Sequence, residues 1–277
     1  MVFTLWEEMM ANKVRFLIFT VFLIVLSATV SNATIIFQGE ESVSVASEIP
    51  FLQATVQSPN GLVGDFEVLA CANIDEGVLD FNVATPGWTE ENQGKCGIET
   101  CVMSINSKFS DSTGGELNTC SWDALSPLFV GGILRYSGVD TNNPIIDLQC
   151  SADVGPTATA PSVITEANSV VLRFFISDLP IDPIPIFALG RITPEASINA
   201  DLIALTALGQ VFTDGGPTGT LDAGLSDTAP WRACTMALRM EGGVAEVPTI
   251  SEWGLIATAA ILGMIAFIAI RRKKALA

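Results

Sequence analysis

The hydrophobic and polar positions divide this chain into three regimes. Near the N-terminus an apolar run, F-L-I-F-T-V-F-L-I-V-L from Phe16 to Leu26, follows Lys13 and Arg15. Near the C-terminus a second run extends from Leu255 to Ile270 and stops at Arg271, Arg272, Lys273 and Lys274. Between them apolar residues come in short groups, rich in β-branched and aromatic side chains and broken by Gly, Pro, Asn and Asp. That middle pattern has the length and period of strands. Strands are predicted at 35–37, 43–46, 51–56, 66–72, 78–83, 101–105 and 133–136. Alternation in F-E-V-L-A-C-A sets Phe66, Val68 and Ala70 on one face. V-V-L-R-F-F-I at 170–176 is apolar nearly throughout, which predicts a central strand covered on both faces. Residues 198–208 fit either a strand pair or one series of helical turns.

Turn clusters separate these runs: T-P-G-W at 85–88, S-T-G-G at 112–115, T-N-N-P at 141–144 and T-D-G-G-P at 213–217. The fold class predicted is mainly β, an antiparallel β-sandwich ectodomain closed by disulfides, with one C-terminal transmembrane helix. G-P-T-A-T-A-P at 155–161 reads as a linker or long loop, dividing two lobes unless disulfides cross it, which would argue for one.

The two greasy ends imply a membrane. With Trp253 and Gly254 the C-terminal stretch is about 18 residues, roughly 27 Å as a helix. That spans a hydrocarbon core of about 30 Å, and a helix satisfies its own backbone in lipid. Trp253 suits the headgroup layer, and Arg271, Arg272, Lys273 and Lys274 form a stop-transfer cluster held in the cytoplasm. At the other end, the order of charge, short apolar core and small residues predicts a signal peptide cut between Ala33 and Thr34. An uncleaved anchor is the alternative, and Met10 is a second candidate start beside Met1. The organisation expected is a signal peptide at 1–33, an extracytoplasmic β domain at 34–241, a stalk and motif at 242–254, a membrane helix at 255–270 and a basic tail at 271–277. The protein would be single-pass with its N-terminus outside.

Composition narrows the chemistry. The formal net charge is −17, and between residues 34 and 250 seven basic residues face 27 carboxylates. Such a field disfavours nucleic acid and anionic lipid. There is no histidine, which excludes Ser-His-Asp and Cys-His catalysis and His-ligated zinc. Paired carboxylates could still work as acid and base, but no spacing nominates a pair, so no catalytic residue and no cofactor is expected. A structural calcium would draw on Asp75, Glu76 and Asp80 or on Asp214, Asp222 and Asp227, although neither group has the D-x-D-x-D-G form. Trp88, Trp122 and Trp231 read as packing groups.

All six cysteines lie in the exported segment, which reads as disulfides. Cys96 and Cys101 flank a short Gly-containing loop and form the local pair. Cys71 with Cys120, and Cys150 with Cys234, follow by elimination. A metal cluster lacks any C-x-x-C pair.

The segment V-P-T-I-S-E-W-G (Val247, Pro248, Thr249, Ile250, Ser251, Glu252, Trp253, Gly254), followed by an apolar helix and a basic cluster, resembles the IPTL-CTERM sorting domain of Gram-negative bacterial surface proteins. That signal belongs to the functional class of the PEP-CTERM signals handled by exosortases. Val247 and Ile250 stand where the family more often has Ile and Leu. The resemblance implies transient anchoring in the inner membrane, cleavage near the motif by an exosortase-like enzyme, and passage to the surface. Pro248 removes a donor and keeps the chain extended before the helix, where an enzyme can grip it. An ordinary type I anchor is the alternative.

A slighter likeness, carried by N-G-L-V-G-D-F-E-V-L, D-E-G-V-L-D-F and V-V-L-R-F-F-I, is to cohesin-type β-sandwiches, and it implies architecture only. The role expected is structural or adhesive, at the envelope or in an extracellular matrix. The alternatives are a carbohydrate- or other ligand-binding module, with an envelope polysaccharide as partner, and a carboxylate-based hydrolase.

Overall fold

Alternation along F-E-V-L-A-C-A-N sends Phe66, Val68, Ala70 and Ala72 to one face and Glu67, Leu69, Cys71 and Asn73 to the other, and all of them are buried. A strand apolar on one face needs one covering layer; this strand has two. The computed structural model that shows this describes residues 34–74, 81–97, 100–182, 191–198 and 201–241.

The first half of the chain supplies β1 (Ile36–Gln57), β2 (Phe66–Ile74), β3 (Phe81–Val83), β4 (Thr89–Lys95), β5 (Cys101–Phe109) and β6 (Leu117–Ser137). They form one antiparallel sheet in the order β1-β6-β2-β5-β4, with β3 beside β6. The second half supplies β7 (Ile145–Ala160), β8 (Ile164–Thr165), β9 (Ser169–Ser177), β10 (Arg191–Ile192), β11 (Glu195–Ile198), β12 (Asp201–Phe212), β13 (Gly216–Pro217) and β14 (Leu221–Leu238). Their main sheet runs β7-β14-β9-β12-β10, with β11 beside β12, while β8 and β13 pair separately.

The two orders are the same plan used twice. In each, the first long strand lies at an edge, the last strand lies next to it, and the second main strand is central. The halves differ in length and decoration, not in connection.

The central core belongs to both halves. Phe66, Val68, Met103, Ile105, Val130 and Leu134 of the first sheet share one cluster with Leu172, Phe174, Ile176, Leu205 and Met236 of the second. This is the inner layer of a β-sandwich. The boundary between halves falls in the loop after β6, not at 155–161. Residues 155–160 belong to β7, with Ala158 and Ala160 buried. The Gly-Pro pair that suggested a linker sits where the β7/β14 register breaks, opposite the stretch between Gly224 and Ala229, so a missing donor and a bend are tolerated there.

Both long ladders, β1/β6 and β7/β14, fold back on themselves. Trp122 stacks on Phe129, ring centroids 5.2 Å apart, although seven extended residues would separate them by about 23 Å. Ser151 Oγ donates to the Thr159 carbonyl at 2.6 Å across a similar span of β7. The returning arm of β1 and β6, with β3, packs Ala54, Val56, Phe81 and Trp122 onto Leu69, Val102 and Ile133 on the outer face of the first sheet. The arm of β7 and β14 packs Ala158, Ala160, Ala223 and Leu225 onto Phe175 and Leu208 of the second. That second layer explains why β2 and β9 are apolar on both faces.

The predicted strands at 35–37, 43–46 and 51–56 are one strand, β1, of 22 residues. Its ladder shifts register between Ala46 and Gln53 instead of ending. The prediction at 78–83 is realised over Phe81–Val83, its first part lying outside the described residues. In the ambiguous segment 198–208 the described residues are strand: β11 and β12 form an antiparallel pair. Among the described residues no helix is long and apolar enough to cross a membrane; the stretch at 255–270 lies outside them.

Candidate functional site

The densest chemistry among the described residues is buried under two loops at one end of the first sheet. Glu67, Lys108 and Arg135 each interrupt an apolar strand. Strand pairing makes them neighbours on the outer face: Glu67 stands opposite Lys108 on β5 and opposite Arg135 on β6. The loop S-P-N-G-L-V-G-D between β1 and β2 closes over them. Leu62 N–H donates to Asp65 Oδ2 at 2.7 Å, and Gly64 takes the left-handed conformation with φ of 91°. Gly61 is required for space, since a Cβ there would lie 2.3 Å from Arg135 Nε.

Arg135 is fully buried. Its five N–H groups reach five acceptors: Asp65 Oδ2 at 3.1 Å, Glu67 Oε1 at 3.0 Å, and the carbonyls of Pro59 at 2.9 Å, Ser112 at 2.8 Å and Leu62. The guanidinium therefore staples the 58–65 loop, and the loop after β5, onto the sheet. A planar fork with every donor used can hold such a position in a dry interior.

Beside this clamp lies a second group. Lys108 Nζ is 3.8 Å from Glu67 Oε2 and ion-paired with Glu116, and it sits 5.0 Å from the centre of the Trp88 ring. It also faces the side-chain carbonyl of Asn118, with Nζ 3.4 Å from Oδ1. That same Oδ1 accepts from the Trp88 indole N–H at 2.9 Å. Asn118 Nδ2 donates to Ser58 Oγ at 2.9 Å, and the Ser58 hydroxyl donates to Glu67 Oε2 at 3.1 Å. Burial pushes the Glu67 carboxyl above its ordinary range, against the opposing pull of Lys108, Arg135 and Ser58. Lys108 is 6 % exposed, and Glu67 and Asn118 are 0 % exposed. An amine, an amide carbonyl and a carboxyl of raised affinity for protons are thus collected in one water-poor site.

The cysteines pair as Cys71–Cys120, Cys96–Cys101 and Cys150–Cys234. Each bridge stays within its own half. Cys71–Cys120 ties the returning arm of β6 to β2. Cys96–Cys101 closes the turn between β4 and β5. Cys150–Cys234 joins directly opposed residues of β7 and β14. Trp122 and Trp231 are 5 % and 6 % exposed and pack in the outer layers.

Asp75, Glu76 and Asp80 lie outside the described residues. Asp222 accepts from Thr159 Oγ1, and Asp227 from the Thr228 N–H. Among the described residues no group of three or more Cys, Asp or Glu could hold a metal ion. Thr34 begins the described chain. Ala33, Val247 to Gly254 and Arg271 to Lys274 lie outside it.

The Glu67–Lys108–Asn118–Arg135 cluster was not foreseen from sequence. Its only local signal is a single charge within an apolar strand, as in F-E-V-L and I-L-R-Y.

The described part is thus a disulfide-bonded β-sandwich of the kind an oxidising compartment permits. At the other end of the chain, the family model of the IPTL-CTERM motif matches residues 247–272. The chain therefore carries an IPTL-CTERM motif at its C-terminal end, a signal that implies an exported protein sorted through its C-terminus. No curated protein and no solved structure matches the chain, and the cohesin likeness gains no support beyond its short strands.

Proposed function

We propose that this is a structural or adhesive protein of the cell surface or extracellular matrix, acting on no other molecule as an enzyme. A signal peptide ending at Ala33 exports it, and the helix at 255–270 parks it in the inner membrane. An exosortase-like enzyme then cuts near the sorting motif and releases it outward. The observation that carries this reading is the IPTL-CTERM match at 247–272 behind a β-sandwich closed by three disulfides. A body with both outer faces covered and its centre filled from both sheets suits a protein that must persist outside the cell. The indoles of Trp122 and Trp231 are spent on packing and that of Trp88 lies beside Lys108, which favours this reading over a carbohydrate-binding platform.

The test is the doubly substituted chain Pro248→Ala, Trp253→Ala. It should accumulate uncut in the inner-membrane fraction as a larger band than wild type. Wild-type size and location would refute motif-dependent sorting and leave an ordinary anchor.

A further inference from the structure

We propose that Lys108 and Asn118 join autocatalytically into an intramolecular isopeptide bond, with Glu67 as the proton acceptor and Ser58 as the relay to the leaving nitrogen. The inference is independent of the sorting signal and concerns chemistry the sandwich performs once, on itself. Amide formation from an amine and a primary amide needs four things: proximity, an unprotonated amine, stabilisation of negative charge on the carbonyl oxygen, and a proton for the departing ammonia. The site provides each.

Proximity comes from the fold. The loop after β5 turns the chain back, so that the first arm of β6 lies over the outer face and Lys108 Nζ stands 3.4 Å from Asn118 Oδ1, one bond from the carbon to be attacked. The base is Glu67, 3.8 Å from Nζ. Its burial disfavours the carboxylate and so favours uptake of a proton. The Trp88 N–H, 2.9 Å from Oδ1, already points at the oxygen on which charge develops. Ser58 Oγ touches both Glu67 Oε2 and Asn118 Nδ2, and so connects the proton store to the group that must leave.

The steps balance without an external reagent. Lys108 gives one ammonium proton to Glu67, and the freed lone pair forms the Nζ–Cγ bond. The Cγ–Nδ2 bond then breaks. Of the three protons on the lysine ammonium, one stays on the new amide and two leave with Nδ2 as ammonium, each carried in turn by Glu67 and Ser58. Glu67 ends as it began, a carboxylate held by Arg135. No electron is gained or lost. The product ties the end of β5 covalently to the start of β6 in the layer that Arg135 clamps.

The test is peptide mapping by mass spectrometry of the full chain, exported in a Gram-negative host, reduced and alkylated before digestion. A branched peptide joining Lys108 to Asn118, lighter than its two parts by one ammonia, with trypsin failing to cut after Lys108, is the expected result. Glu67→Gln should abolish the branch and restore cleavage. Ser58→Ala should slow its formation several-fold. Glu116→Gln, which removes the more exposed carboxylate near Lys108, should leave it in place. Because Glu67→Gln also touches the clamp, circular dichroism must show the variant folded; if it is not, Lys108→Arg serves in its place. Full-mass, unbranched peptides from folded wild-type protein would overturn the proposal whatever the variants do. So would a branch that survives in a folded Glu67→Gln protein.

Discussion

Arg135→Met is expected to destabilise the sandwich by about 3–5 kcal/mol, the usual cost of removing one partner from a buried ion pair. In a domain of this size that corresponds to a fall in Tm of roughly 10 °C. The reason lies in what is left behind. Glu67 is fully buried and Asp65 nearly so, and the carbonyls of Pro59, Leu62 and Ser112 lose their donor. Neutralising both carboxylates in the same chain, as Asp65→Asn and Glu67→Gln, should recover part of the loss but not all of it, because the carbonyls stay unpaired.

The effect should depend on pH in a definite direction. Burial already raises the folded-state affinity of Glu67 for a proton, and loss of the guanidinium raises it further. A carboxyl raised in the folded state favours folding below its unfolded pKa, and that contribution is lost as pH rises through the folded pKa. The deficit of Arg135→Met should therefore shrink as pH falls toward the ordinary carboxylate range. Urea titrations at neutral and acid pH measure it; a deficit that grows with acid would contradict the buried-carboxylate explanation.

Replacing Cys150 and Cys234 together by alanine should cost about 4–5 kcal/mol by the chain-entropy relation, because that bridge spans 84 residues. The two residues already face each other in the β7/β14 ladder, so the bridge adds little to native geometry and acts mainly by restricting the unfolded chain. The Cys96–Cys101 bridge spans five residues, and its removal should cost only about 2 kcal/mol. Thermal melts of the two double variants should rank in that order. Equal losses would indicate that local geometry, not loop length, sets their value.

What the sequence made legible follows from how far each signal is local. β9 could be read directly because apolar residues on both faces of a strand need no partner to be seen; β2 was legible by its alternation, while the cover on its second face was not. The continuity of β1 could not. Pro50 and its neighbours look like a strand end, and only pairing with β6 shows that the chain bends there without leaving the ladder. The same ambiguity made 155–160 look like a linker. The same-order construction of the two sheets was invisible because it resides in connections. The buried cluster was hidden for a related reason: Glu67, Lys108 and Asn118 belong to three strands, and only the β2/β5 register together with the folding back of β6 places them side by side. The sorting signal is the opposite case, since a contiguous motif followed by a membrane-length apolar run carries its meaning in order along the chain.

The most direct measurement is the C-terminal peptide of the protein recovered from the outer surface or the medium, identified by mass spectrometry. Sorting by the tail requires that it end near Val247 to Gly254, with no peptide from Leu255 to Ile270. Surface protein that still carries Arg271 to Lys274, or folded protein confined to the cytosol with its thiols reduced, would contradict it.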